Sequence, residues 1–207
     1  MSDMLFGAIV LVIFLIFVFI LGYFIYKFKN MRLSNAWGPL VGLVNGKVVG
    51  DGGGAATSWL TGTYRGHNVQ AGMTPNRNMY SGDDGGGGHK YHHFDVALTD
   101  TPGRQDWSVQ FDRAVLGIGQ TSWRVRAKDP ALQAALEAAG VISLVAPLGQ
   151  PPQYLTEPTL EYSSRTKLLR YAADNGSTWT PTPQHFTELL EILIKAAAIN
   201  ARLNPTV

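Results

Sequence analysis

The stretch GDDGGGGHKYHHF, residues 82–94, holds the residue types of this chain that are best suited to chemistry. Four glycines in a row precede three histidines, His89, His92 and His93. The backbone N–H groups of a glycine run can bind phosphate, and imidazole can bind a metal ion. The third interpretation is the tip of a long loop between two strands. These three interpretations make different demands on the neighbouring residues.

A phosphate site needs a spacing that this chain lacks. The P-loop pattern places a glycine, four residues and Gly-Lys-Ser/Thr at the start of a helix. Lys90 instead has Asp84 six positions before it and His89 directly before it. The earlier glycine run, GDGGGAATS at 50–58, contains no lysine. A dinucleotide-binding turn needs a helix after the glycines, whereas a strand pattern follows 85–88. The glycine runs therefore favour loops, and no cofactor is predicted.

The histidines suit a metal site only in part. Successive side chains on a strand point to opposite faces, so His89 and His93 share one face and His92 lies on the other. His67 or Asp83 is available to complete a site built on His89 and His93. The alternative hypothesis is therefore a ligand- or metal-binding sensor that uses this hairpin. We favour a solvated loop whose length indicates contact with a partner.

Hydrolytic chemistry has little support in the sequence. The chain has no G-x-S-x-G nucleophile pattern and no cysteine. Asp95, Asp106 and Asp112 are available carboxylates, but none forms a motif with a nucleophile. The sequence therefore predicts a protein that is not an enzyme, with an enzyme of unknown type as the weakest hypothesis.

The N-terminal segment predicts a membrane anchor. Met4 to Tyr26 is a run of 23 residues without a charge. As a helix it is about 34 Å long, which exceeds the roughly 30 Å of a bilayer core. Lys27, Lys29 and Arg32 follow the run and suit lipid head groups. Because these cations lie only on the C-terminal side, the N-terminus is expected outside and the remainder in the cytoplasm.

One side of the predicted span is rich in phenylalanine. Spacings of three and four residues bring the aromatic side chains and one leucine to a common helix face. This face is predicted to contact a partner helix, a lipid or an apolar pigment. Its residues are Phe14, Phe17, Leu21, Phe24 and Phe28.

The pattern after the anchor predicts an α+β fold, in which a mainly antiparallel sheet is covered by two helices. Residues 1–32 are the anchor, 33–57 a short helix and glycine-rich spacer, and 58–207 the domain. The short helix is expected to begin at Ser34 or Asn35 and to end at Asn45-Gly46, and Asn175-Gly176 predicts a further turn. Arg65-Gly66 separates two alternating runs and predicts a hairpin turn. Asp129 and Thr182 precede Pro130 and Pro183, as capping residues do before helices. The helix after Thr182 is predicted to carry one apolar stripe, formed by Phe186, Leu189, Leu190, Leu193, Ala197 and Leu203. Further strands are expected in HKYHHFDVALTD, QDWSVQFDR, TSWRVRAKD, VISLVA, TLEYSS and TKLLRYAA.

The domain beyond residue 32 is formally neutral. Three of the 17 basic residues and one of the 15 acidic residues lie in the anchor, which leaves 14 of each. A neutral domain lacks the positive surface that nucleic-acid binding requires. Arg124, Arg126 and Lys128 alternate along one predicted strand and are the candidate contact with an acidic partner or lipid heads.

The order of these segments resembles a loose group of uncharacterised single-pass bacterial membrane proteins. The resemblance covers about residues 58–200 and implies a bacterial origin without an activity or a site. Its segments are LTGTYRGHNV, FDVAL, KDPALQAAL, LEYSS and PTPQHFTELLEILIKAAA.

The predicted anchor, the neutral domain and the lack of a catalytic motif in the sequence together indicate an accessory subunit. We expect a non-enzymatic, single-pass protein of the bacterial inner membrane that helps to assemble a larger complex, such as a photosynthetic or respiratory one. Its expected partners are other membrane-protein subunits and the lipid bilayer.

Overall fold

The computed structural model describes residues 2–50, 58–76, 91–112, 122–148, 158–174 and 180–205. These residues form an eight-stranded sheet with a layer of helices on one face. The strands are β1 Lys47–Gly50, β2 Ser58–Tyr64, β3 His67–Asn76, β4 Tyr91–Leu98, β5 Trp107–Asp112, β6 Ser122–Ala127, β7 Thr159–Ser163 and β8 Leu168–Asp174. The helices are α1 Ser2–Val41, α2 Pro130–Ala138, α3 Val141–Val145 and α4 Pro183–Leu203, with 3-10 turns at Gly42–Val44 and Ala146–Leu148.

The sheet has the order β1-β2-β3-β4-β8-β7-β5-β6, and every neighbouring pair is antiparallel. This confirms the predicted α+β class with an antiparallel sheet. The late strands β7 and β8 lie between β4 and β5, so the sheet centre combines segments that are far apart in sequence.

Short sequence patterns correctly predicted the position of one turn and two helix starts. Arg65 and Gly66 both have positive φ, 48° and 82°, which is the backbone of the tight turn that joins β2 to β3. The Asp129 carboxylate accepts from the N–H of Ala131, and the Thr182 hydroxyl accepts from the N–H of His185. Each cap satisfies an N–H that the first helical turn leaves without a partner.

The core lies between the helix layer and one face of the sheet. Alternate strand residues such as Leu60, Val96, Leu160 and Val109 are fully buried there. The predicted stripe of α4 packs against them, and its buried members are Phe186, Leu189, Leu190, Leu193 and Ala197. We call the opposite side of the sheet the outer face, because the described helices bury their apolar residues in the core on the other side.

Two sequence predictions about local structure were wrong. The segment VISLVA forms α3 and a 3-10 turn rather than a strand. Gly140 has φ of 75° and ends α2, and Val141 and Val145 then reach the core from one side of a helical turn. A separate helix beginning at Ser34 or Asn35 is also absent, because α1 runs without interruption from Ser2 to Val41.

The predicted end of the short helix is confirmed, but the segment directly after it forms a strand. Asn45 has φ of 43°, and the N–H of Gly46 donates to the carbonyl of Val41, so the helix closes at the predicted Asn-Gly pair. Lys47–Gly50, which was expected to lead into a spacer, pairs with β2 as an edge strand. The predicted turn at 175–176 and residues 51–57 lie outside the described residues.

Within the described chain, no single helix meets the combined length and apolarity expected of a membrane span. The apolar part of α1 for which side chains are described is Leu11–Ile25. Helix α2 and the segment Val141–Leu148 reach that length and apolarity only when they are taken together, and a bend of 55° separates them. Leu132, Leu136, Val141 and Val145 of this pair are buried in the domain core.

Two asparagines fix the loop between β4 and β5 against the end of α4. Asn200 Oδ1 accepts from Trp107 Nε1 at 2.7 Å, and Asn200 Nδ2 donates to the Pro102 carbonyl at 2.6 Å. Asn204 Oδ1 accepts from the N–H groups of Arg104 and Gln105. This network holds β5, and therefore the central strands, in register with the helix layer.

Candidate functional site

The strand registers arrange the outer face in two rows of side chains that cross the whole sheet. The two rows are adjacent, because residues two apart on a strand point to the same side. The first row is Val49, Trp59, Gly72, Asp95, Ala172, Thr159, Gln110 and Arg124. The second is Lys47, Thr61, Gln70, Ala97, Arg170, Glu161, Ser108 and Arg126.

Asp95 is the buried acidic residue at the centre of this face. It is 8% exposed, and its partners on the adjacent strands are Gly72 and Ala172. Gly72, Ala97 and Ala172 are buried as well, so the centre of the outer face has little contact with solvent. Burial raises the pKa of Asp95, and the charges of Arg170 and His93 lower it in part.

Trp59 covers the outer face on the β2 side of Asp95. A Cβ atom at position 72 would overlap the Trp59 ring, so the indole lies over Gly72. Gly72 therefore brings the indole down onto the strand next to Asp95.

An ion pair occupies the neighbouring strands β8 and β7. Arg170 on β8 faces Glu161 on β7, and Arg170 Nε donates to Glu161 Oε1 at 3.0 Å. The two side chains remain 38% and 37% exposed, so the pair lies at the solvent-accessible surface. Glu161 offsets part of the charge of Arg170. Arg170 therefore stabilises the ionised form of Asp95 less than an unpaired arginine would.

Of the basic row predicted at residues 124–128, Arg124 and Arg126 lie on the same outer face, at the β6 edge. Arg126 Nη2 lies 2.9 Å from both carboxylate oxygens of Asp112, and Arg124 Nε lies 3.5 Å from one of them. Lys128 is exposed. One acid therefore faces two arginines, and the edge keeps a positive excess. A shallow cavity of about 490 Å³ adjoins it, lined by Asp106, Trp107, Ser108, Arg126, Ala127, Lys128, Glu161, Tyr162 and Ser163.

A second cavity, of about 500 Å³, lies in the helix layer between α4 and the segment 143–148. Leu144, Leu148 and Ile192 contribute its apolar part. Glu191 at its rim accepts hydrogen bonds from the Tyr64 hydroxyl at 2.7 Å and from Arg65 Nη1 at 2.9 Å. The hydrogen bond to Glu191 raises the pKa of Tyr64, with burial as a smaller cause. These contacts tie the β2–β3 turn to α4.

The phenylalanine face predicted on α1 is exposed where its side chains are described. Phe14 and Phe17 are each 61% exposed, Leu21 is 49% exposed and Phe24 is 63% exposed. Lys27 is exposed as well. The side chains of Phe28, Lys29 and Arg32 lie outside the described residues.

Only part of the predicted metal site lies in the described residues. His93 lies on β4, two residues before Asp95, and is partly buried. His89 lies outside the described residues. In the part of the chain that is described, no three His, Asp or Glu side chains are grouped so as to hold a metal ion.

The other carboxylates singled out in the sequence have ordinary partners. Asp106 accepts from the N–H of Ser164 at 2.6 Å and from its hydroxyl at 2.7 Å. These two hydrogen bonds lower the pKa of Asp106. Asp106 thus fixes the turn between β7 and β8, while Asp112 pairs with the arginines of β6.

Sequence reasoning missed the group formed by Trp59, Asp95 and Arg170. The alternation in FDVAL was a usable signal, because it places Asp95 on the face opposite Phe94, Val96 and Leu98. Nothing local indicated that β8 pairs with β4, which is the contact that brings Arg170 beside Asp95.

Comparisons of the chain with protein-family models, with curated proteins and with solved structures give no match in any of the three. The chain's own surfaces are therefore the basis for proposing a function.

Proposed function

We propose that this chain is a non-enzymatic accessory subunit, anchored in the bacterial inner membrane by α1, that binds other membrane-protein subunits through α1 and its α+β domain. The domain lies in the cytoplasm in this proposal, because Lys27, Lys29 and Arg32 follow the apolar segment. The span extends over Met4–Tyr26, and lipid or a partner helix covers it.

The exposed apolar surface of α1 is the observation that carries this proposal. Fourteen large apolar side chains between Leu11 and Ile25 are each at least 47% exposed. Removing one such side chain from water contributes about 1.5–3 kcal/mol, so covering all of them contributes roughly 20 kcal/mol or more. A soluble monomer would leave that free energy unused, whereas a bilayer with a partner helix provides the apolar surroundings.

The connection between α1 and the domain supports a positioning role. α1 continues from the apolar segment into the core, where Trp37 is 0% and Leu40 is 1% exposed. The Thr180 hydroxyl also donates to the Ala36 carbonyl at 3.2 Å. About ten residues separate Tyr26 from Trp37, which places the domain about 16 Å from the end of the apolar segment. The helix therefore fixes the distance of the domain from the membrane.

Membrane fractionation of the full chain tests the anchor. We expect the protein in the membrane pellet after carbonate extraction, and release of a variant carrying Ile16→Arg and Val18→Arg. Two arginines at the centre of a span each cost about 2.5–3.5 kcal/mol. Ala198→Arg with Ala201→Arg on the exposed side of α4 is the matched control and should remain in the pellet. Release of the unchanged protein by carbonate would refute the anchor.

Purification in mild detergent tests the partner. The full chain should elute together with other membrane subunits in a fixed ratio, and elution always as a single species would contradict the proposal. Phe14→Ala with Phe17→Ala should weaken this association. Phe19→Ala is the control on the opposite side of α1, since five residues turn a helix by about 140°. Equal effects of both changes would argue against a specific phenylalanine face.

A further inference from the structure

We propose that the cavity over Ser108, on the outer face of the sheet, binds a small zwitterion. A carboxylate or phosphate group of this ligand faces Arg126 and Lys128. Its ammonium group faces Glu161 and Asp106. This binding site goes beyond the proposed accessory role, and it depends neither on α1 nor on a partner subunit.

The cavity forms because a short side chain lies between long ones on adjacent strands. Glu161 on β7, Ser108 on β5 and Arg126 on β6 are direct neighbours in one row of the outer face. The serine in the middle forms a low floor between the two longer side chains. Asp106 and Lys128 extend the cavity along the strands. Its volume of about 490 Å³ lies within the range of roughly 300–1,000 Å³ that is usual for small-molecule sites.

The polar groups around this cavity are accessible to a ligand. The side chain of Arg126 is 58% exposed, and that of Glu161 is 37% exposed. Lys128 and Asp106 are exposed, and Ser108 is partly exposed. A ligand can therefore reach the floor and the charged sides from solvent.

The β6 side of the cavity has cationic donors that the described contacts leave available. Arg126 uses Nη2 for both oxygens of Asp112, and no described hydrogen bond occupies its Nε or Nη1. Lys128 has no ion-pair partner among the described residues. Donors of this kind form charge-assisted hydrogen bonds with carboxylate and phosphate oxygens. This side of the cavity therefore suits the anionic end of a ligand.

The two carboxylates that line the cavity each have an oxygen available. Glu161 accepts from Arg170 through Oε1, and Asp106 accepts from Ser164 through Oδ1. No described hydrogen bond uses the second oxygen of either carboxylate. The hydrogen bonds from Ser164 lower the pKa of Asp106, so this group is ionised at neutral pH. Both carboxylates can therefore accept from an ammonium group.

The spacing of the strands defines the length of the ligand. Arg126 and Glu161 are two strands apart, which is about 10 Å between their backbones. A ligand that contacts both side chains therefore needs its opposite charges several ångströms apart. An extended dipeptide spans about 7 Å and meets this need. Phosphoethanolamine, the head group of an aminophospholipid, carries the same two types of charge.

Ligand-observed NMR with the full chain in detergent tests the chemistry of the site. Glycylglycine and phosphoethanolamine are the probes, and N-acetylglycylglycine and glycylglycine amide are matched peptides that each lack one charge. We expect one or both zwitterions to bind about tenfold more tightly than either capped peptide. Binding of glycylglycine alone would assign a peptide, and binding of phosphoethanolamine alone a lipid head group. Equal binding of all four compounds, or binding of neither zwitterion, would overturn the inference.

Charge variants test which side of the cavity holds each end of the ligand. Lys128→Met and Glu161→Gln should each weaken binding of the zwitterion about tenfold, since each removes one charged contact. The preference for glycylglycine over its amide should shrink in Lys128→Met, and the preference over the acetylated peptide in Glu161→Gln. Lys47→Met at the opposite edge of the sheet and Glu137→Gln on α2 are the matched controls and should have no effect.

A change of the cavity floor tests the location without a change of charge. Ser108→Leu places a larger side chain between Arg126 and Glu161 and should abolish binding of the zwitterion. Thermal unfolding of each variant in detergent separates lost binding from lost folding. Full binding by folded Ser108→Leu, Lys128→Met and Glu161→Gln variants would place the ligand elsewhere and contradict the inference.

The outcomes separate this inference from the proposed function. If carbonate releases the protein but the zwitterion binds, the anchor fails and the ligand site stands. If the protein stays in the membrane with its partners but binds no zwitterion, the accessory role stands and the ligand site fails.

Discussion

Asn200 and Asp95 are both polar side chains that the domain buries, one under the helix layer and one on the outer face of the sheet. Asn200 is 0% exposed, and its amide oxygen accepts from Trp107 and Asn204 while its nitrogen donates to the Pro102 carbonyl. Asp95 is 8% exposed and has its charge balanced at longer range by Arg170 and His93.

The difference separates a polar group that stabilises the fold from one whose burial is costly. A buried amide with matched partners stabilises one arrangement of the chain and has little capacity left for a ligand. Burial of the Asp95 carboxyl group raises its pKa and therefore lowers stability where the group is ionised, and the charges of Arg170 and His93 offset this only in part. We therefore assign the Asn200 network to the stability of the fold, and we expect ionised Asp95 to lower that stability.

Asn200→Leu should have the largest effect on stability among the changes that test this contrast. The leucine leaves Trp107 Nε1 and the Pro102 carbonyl without their partner in the core. We expect the free energy of unfolding of the full chain in detergent to fall by about 2–4 kcal/mol, measured by urea titration of tryptophan fluorescence. Ala198→Leu on the exposed side of α4 is the control, and an equal loss there would mean that the network contributes nothing specific.

Trp107→Phe should have a smaller effect from the other end of the same network. It removes the N–H that donates to Asn200 but keeps an aromatic ring beside Tyr162. We expect a loss of about 1–2 kcal/mol in the same urea titration. Trp123→Phe removes an indole that packs edge-on against Phe111 and should cost less. A smaller loss at position 107 than at position 123 would contradict the importance of the hydrogen bond.

Asp106→Asn should lower stability by about 1 kcal/mol near neutral pH, because a charged acceptor for Ser164 is lost. The folded-state pKa of Asp106 lies below its ordinary 3.8. Its contribution is therefore present above pH 3.8 and disappears as pH falls through the lowered value. Thermal unfolding of both proteins from pH 7 to pH 3 measures this. A difference that grew on acidification would show that the interpretation is wrong.

Asp95→Asn should have the smallest effect on stability of these changes, and it should raise stability where the others lower it. Burial raises the folded-state pKa of Asp95 above its ordinary 3.8. Stability therefore falls as pH rises above 3.8 and the buried carboxyl group becomes ionised. The asparagine variant should be slightly more stable at neutral pH, and its advantage should vanish on acidification. The same thermal scans provide the measurement, with Asp106→Asn as the counterpart. A variant less stable than the parent at pH 7 would place Asp95 among the structural groups.

Local residue types accounted for much of the secondary structure. Arg65-Gly66, Asp129 and Thr182 identified one turn and two helix starts, since each acts on backbone groups within a few residues. The error at VISLVA shows the limit of such signals. A short apolar run fits a strand or one turn of helix equally, and packing of Val141 and Val145 in the core decided the outcome.

The sequence by itself determined the apolar N-terminal helix, the alternation of the strands and the capped helix α4, because these follow from side-chain periodicity and nearby backbone groups. Only the tertiary structure decided that Asp95 lies beside Arg170, that Glu161 faces Arg170, and that Asn200 reaches Trp107. Asp95 and Arg170 are 75 positions apart, and Asn200 and Trp107 are 93 positions apart, whereas Glu161 and Arg170 are only 9 apart on neighbouring strands. Strand order and register bring the two distant pairs together, and no local pattern specifies which strand becomes the neighbour of another.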